Sequence, residues 1–276
     1  KTFPKFKQVI DECDALYQKY GNVSVINDMG LFGSKMGDKN AVHKIEVTLP
    51  GLIFMQIGLY ELWKSFGVTP DAIIGHSFGE MCAIYASNAC SLKDIICVTI
   101  ARSELMKKIS GQGTMLAVGC SEQEVMKMIT EANLQQIWIA AANSPVSVTV
   151  GGIHESIKKL SEMCTEKRIF NRQLNVTNAF HTPLMAPLRD QAQATFKEIS
   201  AQTAPPSIKF ISTVTGDMWD SPFDYTYFWK NIENVVLFQA AVQTALKKFG
   251  EDTLFVEMAP HPVLSSSIKQ SGAQQV

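Results

Sequence analysis

The sequence predicts an α/β protein in which a covered, mostly parallel sheet is interrupted by a smaller inserted unit. Three observations carry that reading. Apolar runs of strand length alternate with longer stretches of helical spacing along most of the 276 residues. A sharp strand-to-helix signal, Gly75-His76-Ser77-Phe78-Gly79, follows the apolar run Ala72-Ile73-Ile74. Between about 114 and 178 the order becomes β-α-β-β-α-β, the arrangement of a ferredoxin-like unit.

Taken in order, Phe6 to Tyr17 and Gly51 to Phe66 space their apolar residues as helices, with Pro50 suited to the first turn of the second. Val68 to Ile74 reads as a strand, and Met81, Ala83, Ile84 and Ala86 as a buried helix behind it. Ser91 is an N-cap for a helix over Leu92 to Ile109. In the inserted unit, Met115 to Val118 is a strand and Ser121 to Ile129 a helix, opened by the capping-box pattern Ser121-Glu122-Gln123-Glu124. Ile137 to Ala141 and Val146 to Val150 are strands joined by the turn Asn143-Ser144-Pro145. A helix over Ile153 to Lys167 and a strand over Arg168 to Leu174 close the unit. The chain then supplies helix from Pro183 to Ile199, strands at Ile208 to Ser212 and Leu254 to Met258, and helical segments within Tyr225 to Phe249. The expected division is 1–113 with 179–276 as the large unit and 114–178 as the small one.

Composition narrows the function classes. With 46% hydrophobic and 18% charged residues the chain is ordinary globular material, and a net charge of −1 gives no general attraction to nucleic acid or to an anionic membrane. Leu52 to Trp63 is apolar but contains Gln56 and Glu61, which marks a core helix rather than a membrane span. Six cysteines (Cys13, Cys82, Cys90, Cys97, Cys120, Cys164) show no CxxC pair and no metal-ligand spacing. Buried free thiols in a reducing, cytoplasmic setting are the expectation, with no metal and no bound cofactor.

Gly75 to Gly79 carries the chemistry. A nucleophile elbow pushes a serine hydroxyl out of the backbone at a helix N-terminus, where the free amide of Phe78 and the helix dipole face any oxyanion formed beside Ser77. This places the large unit among α/β-hydrolase-like architectures. A serine needs a base, and five histidines compete for that role. His76 adjoins Ser77, so its ring points away from the hydroxyl and suits a supporting role. His43 and His154 sit in polar, turn-like surroundings. His181, in Asn178-Ala179-Phe180-His181-Thr182-Pro183, and His261, in Met258-Ala259-Pro260-His261-Pro262, both lie in loops after apolar stretches and both remain open on the residues alone.

Gly75-His76-Ser77-Phe78-Gly79-Glu80, Ala101-Arg102-Ser103, Ala179-Phe180-His181 and Ala259-Pro260-His261-Pro262-Val263-Leu264, in this order and spacing, resemble the malonyl-CoA:acyl carrier protein transacylases. The nearest likeness is to acyltransferase domains of polyketide and animal-type fatty acid synthases, over essentially the whole chain. The resemblance implies Ser77 as the nucleophile and His181 as the general base. It implies an orienting carbonyl for that histidine within Phe228-Trp229-Lys230-Asn231, for which Asn231 is the candidate. Arg102 matches the arginine that clamps the free carboxylate of a malonyl group, a task suited to a planar, always-charged guanidinium. Phe180 implies malonyl over methylmalonyl by excluding an α-methyl group, and Phe78 narrows the pocket further. Asn178, grouped with Arg102, Phe78, His76 and Phe180 as substrate-binding, stands where the family usually has histidine, and Thr48-Leu49-Pro50 lacks the usual glutamine. The family's N-terminal Gly-Gln-Gly loop, source of a second oxyanion amide, is expected before Lys1, so the chain is read as a piece of a multidomain synthase. The implied substrates are malonyl-CoA and a phosphopantetheine-bearing acyl carrier protein, with ketosynthase and other synthase domains as neighbours and neither nucleic acid nor membrane as partner. Lys107, Lys108, Lys158 and Lys159 offer positive charge to an acidic carrier, or form solvated helix faces. A thioester hydrolase and a non-catalytic docking domain are the rival readings.

Overall fold

In the computed structural model, residues 3–31, 44–199 and 203–276 are described. The chain opens with α1 (Pro4–Gly21), begun by a proline at N1 and ended by Asn22 in the left-handed conformation. Next comes α2 (Ile45–Ser65). Apolar spacing predicts a start at Gly51, but the helix begins six residues earlier and carries Pro50 inside it. Lys44 supplies the carbonyl for the first amides, and the missing N–H of Pro50 costs one bond in a turn whose Val47, Leu49 and Pro50 side chains are buried. By length and composition α2 could cross a membrane, yet half of its most apolar window is buried inside the fold, as in a core helix.

Strand β1 (Ala72–Ile74) leads through the elbow into α3 (Gly79–Ala86). Helix α4 (Leu92–Lys107) starts where Ser91 accepts from the Asp94 amide, as expected. The small unit then runs β2 (Thr114–Val118), α5 (Glu122–Glu131), β3 (Ile137–Ser144), β4 (Ser147–Gly152), α6 (His154–Glu166) and β5 (Asn171–Gln173). The capping box at Ser121 and Glu124 is formed. Its sheet has the order β3-β4-β2-β5, antiparallel throughout, which is the ferredoxin-like topology. The inner sheet face and both helices close over a separate apolar core that includes Leu116, Val125, Ile139, Val150, Ile157 and Leu160.

The chain returns through a 3-10 turn (Pro183–Leu188) and α7 (Arg189–Ile199), then β6 (Lys209–Ile211), β7 (Met218–Trp219), α8 (Tyr225–Glu233), α9 (Phe238–Phe249) and α10 (Ser265–Gln270). β6 lies parallel to β1, giving the parallel pair of the large unit, while β7 adds antiparallel at the far edge. The strand expected at Leu254 to Met258 does not form; Leu254 makes one bridge to Gln275. Leu254 and Val256 are exposed, so only one side of that apolar alternation finds a covering layer. The large core packs α1, α2, α3 and α4 against α7 and α8.

A backbone seam joins the units. Val236, in the link between α8 and α9, pairs in parallel with Ala141 of β3, and its amide and carbonyl exchange bonds with Ala140 and Ala142. His43 lies outside the described residues, as does Lys1.

At the elbow, the two glycines are not equivalent. A Cβ on Gly75 would lie 2.4 Å from the Glu80 backbone, whereas on Gly79 its nearest neighbour is 3.7 Å away. Gly75→Ala is therefore expected to cost about 2–3 kcal/mol by overpacking, while Gly79→Ala folds as stably as the parent or up to about 1 kcal/mol better. Urea melts check this contrast, and equal losses at both positions would remove the steric account.

Candidate functional site

Ser77 sits between β1 and α3 with φ 53°, and His181 has φ 61°; both are non-glycine residues in the left-handed region. Such conformations cost of order 1–3 kcal/mol each and persist where the surroundings impose them. At Ser77 the next amides turn directly into α3, with Gly79 bonding His76 and Glu80 bonding the Ser77 carbonyl. The Phe78 N–H, at the first turn of the helix, has no acceptor among the described residues.

His181 arrives from the loop after β5. Its amide donates to the Ile232 carbonyl at 2.9 Å, and Thr182 pins the loop by donating to Ala179. The imidazole then spans two partners: Nε2 lies 2.6 Å from Ser77 Oγ and Nδ1 lies 3.0 Å from the Asn234 carbonyl. A carbonyl only accepts, so Nδ1 carries the proton and Nε2 presents a lone pair to the serine hydroxyl. Of the two histidines left open by the sequence, the structure brings His181 to Ser77; His261 is exposed in its loop. His154, as expected, is exposed, its ring near the Gly111 carbonyl.

The orienting carbonyl differs from the expectation. It belongs to the backbone of Asn234, not to the side chain of Asn231. The backbone of 232–236 runs beside the imidazole because Ile232 holds the His181 amide and Val236 is held by β3. Asn231, one turn earlier on α8, has its carboxamide engaged elsewhere: Oδ1 accepts from Arg102 Nη1 at 2.5 Å, and Nδ2 donates to the Ser77 carbonyl at 3.0 Å and to Glu80 Oε2 at 2.8 Å.

Arg102, on α4, is 3% exposed. Its guanidinium lies 5.0 Å from the Phe78 ring centroid, so the buried Phe78 forms a cation–π floor. Burial lowers its pKa to about 9, opposed by the charge of Glu80, so it remains cationic at neutral pH. Arg102 Nε is buried without a partner, and no ion pair holds this arginine among the described residues. An unfilled edge of a buried guanidinium is suited to a carboxylate.

Glu80 has no assigned role in the sequence reading although it closes the quoted elbow motif. It is fully buried and accepts from the Thr213 amide (2.6 Å), the Thr213 hydroxyl (3.0 Å), the Tyr227 hydroxyl (3.0 Å) and Asn231. Burial raises its pKa to about 7, against the pull of those hydrogen bonds. The only sequence signal is a carboxylate in a helix first turn, which looks the same as a surface residue favoured by the dipole.

His76 is held by β3 of the small unit. Its Nε2 meets Asn143 Oδ1 at 2.8 Å, its ring packs edge-on to Phe238, and burial lowers its pKa. Asn178 is corrected from substrate contact to scaffold: it is 1% exposed, donates to the Met106 carbonyl near the end of α4 and accepts from Thr177. Phe180 is half-buried on the large core next to His181 in sequence. Three of the four lysines pair along their own helices, Lys107 with Glu104, Lys158 with Glu162 and Lys159 with Glu155. All six cysteines are free and five are buried. No cluster of metal-ligating side chains occurs among the described residues.

Burial, then the charges of Arg102 and His76, push the His181 pKa down from 6.5 to about 3. The unfolded state therefore binds more protons below pH 6.5, and this contribution to stability is lost as the pH falls. Between pH 7 and 5 the wild-type chain is expected to lose about 2 kcal/mol relative to His181→Gln. Urea titrations of both proteins at the two pH values measure it, and parallel curves would contradict a neutral, desolvated imidazole.

The family model described as acyl transferase domain matches residues 1–276. The chain is 31% identical over 274 residues to "Probable polyketide synthase 23" of Dictyostelium discoideum, covering 97% of this chain and 11% of that protein. It is likewise 31% identical to the mycoketide-CoA synthase of Mycobacterium tuberculosis, covering 99% of this chain and 6% of that one. The chain thus spans about a tenth or less of these relatives. Among solved structures, the acyltransferase domain of module 8 of the salinomycin polyketide synthase superposes with a TM-score of 0.89 at 28% identity, over 99% of this chain and 64% of the other. The loading acyltransferase of the avermectin modular polyketide synthase matches at TM-score 0.89 and 30% identity, over 98% and 84%.

Proposed function

The chain belongs to the acyl transferase domain family, and from that premise we propose that it moves a malonyl group from coenzyme A to the phosphopantetheine thiol of an acyl carrier protein. The observation that carries the acyl-transfer step is the 2.6 Å contact between Ser77 Oγ and the lone pair of His181 Nε2. The observation that favours a malonyl substrate is the buried Arg102, whose Nε has no hydrogen-bond partner.

In the first half-reaction Ser77 Oγ attacks the thioester carbonyl as its proton passes to His181 Nε2. The tetrahedral oxyanion lies against the Phe78 N–H at the start of α3. The C–S bond breaks, and the coenzyme A sulfur leaves with the proton from Nε2. In the second half-reaction the phosphopantetheine thiol gives its proton to Nε2 and attacks the acyl-serine; the C–O bond breaks and Ser77 recovers the proton. The Asn234 carbonyl holds Nδ1–H throughout, so the imidazole cycles between base and acid without turning.

Arg102 pairs with the free malonyl carboxylate and fixes the acyl group in one pose. Phe180 opposes an α-methyl group, a discrimination of roughly 10–200-fold for a group of that size. Neighbouring synthase domains, a ketosynthase among them, belong to this proposal, as does the cytoplasmic setting supported by six free thiols.

The test is incubation with labelled malonyl-CoA followed by mass analysis of the intact chain. A malonyl adduct on Ser77, absent in Ser77→Ala, is expected; no adduct on the wild-type chain would support a docking domain instead. Rapid loss of the adduct to water, with none passed to a carrier protein, would support a hydrolase. Arg102→Ala is expected to lower malonyl loading roughly 100-fold, as for loss of a charge-assisted pair, and to raise loading of acetyl groups. Undiminished malonyl loading in that variant would remove the clamp.

A further inference from the structure

Glu80 is the buried ionisable group that the acyl-transfer scheme leaves without a task. It touches neither member of the Ser77–His181 pair through its side chain, yet its donors come from three places: Thr213 after β6, and Tyr227 and Asn231 on α8.

Asn231 is the informative neighbour. A carboxamide has one end that accepts and one that donates. Both donor positions of Nδ2 are committed, to the Ser77 carbonyl and to Glu80 Oε2. Oδ1 is left facing Arg102 Nη1 at 2.5 Å. Turning the amide over would set its NH2 against the guanidinium and its oxygen against Glu80 and the Ser77 carbonyl. Of the two acceptors that forbid this, Glu80 is the stronger when ionised, since bonds to a charged acceptor are about twice as strong as neutral ones.

Distance matters as much as orientation. Glu80 lies close enough to oppose the burial penalty on Arg102, but no ion pair forms between them. A direct salt bridge would fill the guanidinium edges. With one amide interposed, the buried cation is balanced while Nε stays unpartnered.

We propose that Glu80 is a positioning residue for acyl-group choice, aiming Arg102 through Asn231 at the carboxylate of the acyl substrate while touching no part of that substrate. This rests on the reading of Arg102 as the carboxylate clamp.

The experiment measures acyl-enzyme formation from malonyl-CoA and from acetyl-CoA, by intact mass with time, in wild type, Glu80→Gln, Arg102→Ala and the double variant. The Glu80→Gln substitution keeps the side chain's shape, removes its charge, and sets an NH2 against donors of Thr213 or against those of Tyr227 and Asn231. Malonyl loading is expected to fall roughly 10- to 100-fold, chiefly in KM, and acetyl loading by no more than about 3-fold. In the Arg102→Ala background the same substitution is expected to change the malonyl-to-acetyl ratio less than about 2-fold, because both act on one contact. Parallel loss of both acyl groups, or an equal ratio change with and without Arg102, overturns the proposal. If Glu80→Gln does not fold, Asn231→Ala carries the test, since it keeps the carboxylate and removes the link; an unchanged ratio overturns the proposal there too. A wild-type chain that loads no malonyl removes the clamp reading itself. A malonyl-selective wild type whose ratio survives both substitutions removes only the role of Glu80.

Discussion

A carboxylate with no access to water must collect its hydrogen bonds from the protein, and at Glu80 that requirement draws the site together. The residue begins α3, its amide donors come from Thr213 after β6 and from Asn231 on α8, and a hydroxyl comes from Tyr227. Thr213 also donates to the Gly75 carbonyl, and Asn231 to that of Ser77. The carbonyls on both sides of His76 are therefore fixed by residues that are themselves fixed by Glu80. The strained backbone at Ser77 is sustained by this network and by close contact at Gly75, not by local propensity.

Around that centre the electrostatics are arranged without a second carboxylate beside the histidine. His181 is neutral because it is desolvated and stands near Arg102, and its tautomer is set by a backbone carbonyl. A carboxylate at that point would favour the imidazolium and would itself draw on Arg102. A carbonyl orients the ring and leaves the cation free. The partner of His181 and the spacer beside Arg102 are both neutral, so the imidazole stays unprotonated and Arg102 keeps an unpartnered Nε.

Much of this was legible in the sequence. The elbow, the N-cap at Ser91, the capping box at Ser121 and Glu124, and the β-α-β-β-α-β order each depend on local residue types, and each appears in the structure. Three things were not legible, for different reasons. Pro50 has the same preference for a first turn whether or not the helix continues backward, so the start of α2 was missed. Leu254 to Met258 alternates like a strand, but a strand needs a neighbour, and pattern alone does not supply one. The partner of His181 could not be read because backbone carbonyls carry no residue identity; Asn231 and Asn234 differ by less than a helical turn, and long-range contacts, the Ile232 carbonyl on the His181 amide and the pairing of Val236 with β3, decide between them.

That pairing has a consequence for how activity and stability are linked. The small sheet has its own apolar core, distinct from the large one, and local opening of such a unit costs at most the free energy of global unfolding. When the small unit opens, β3 releases Val236, and the carbonyl two residues earlier loses its register with the imidazole. The elbow loses the contact of His76 with Asn143 of β3 as well, while Arg102 stays on α4 of the large unit. The placing of the His181 imidazole is then tied to the integrity of both units, and amide exchange at Ala142 and Val236 gauges how often the Asn234 carbonyl is held in register.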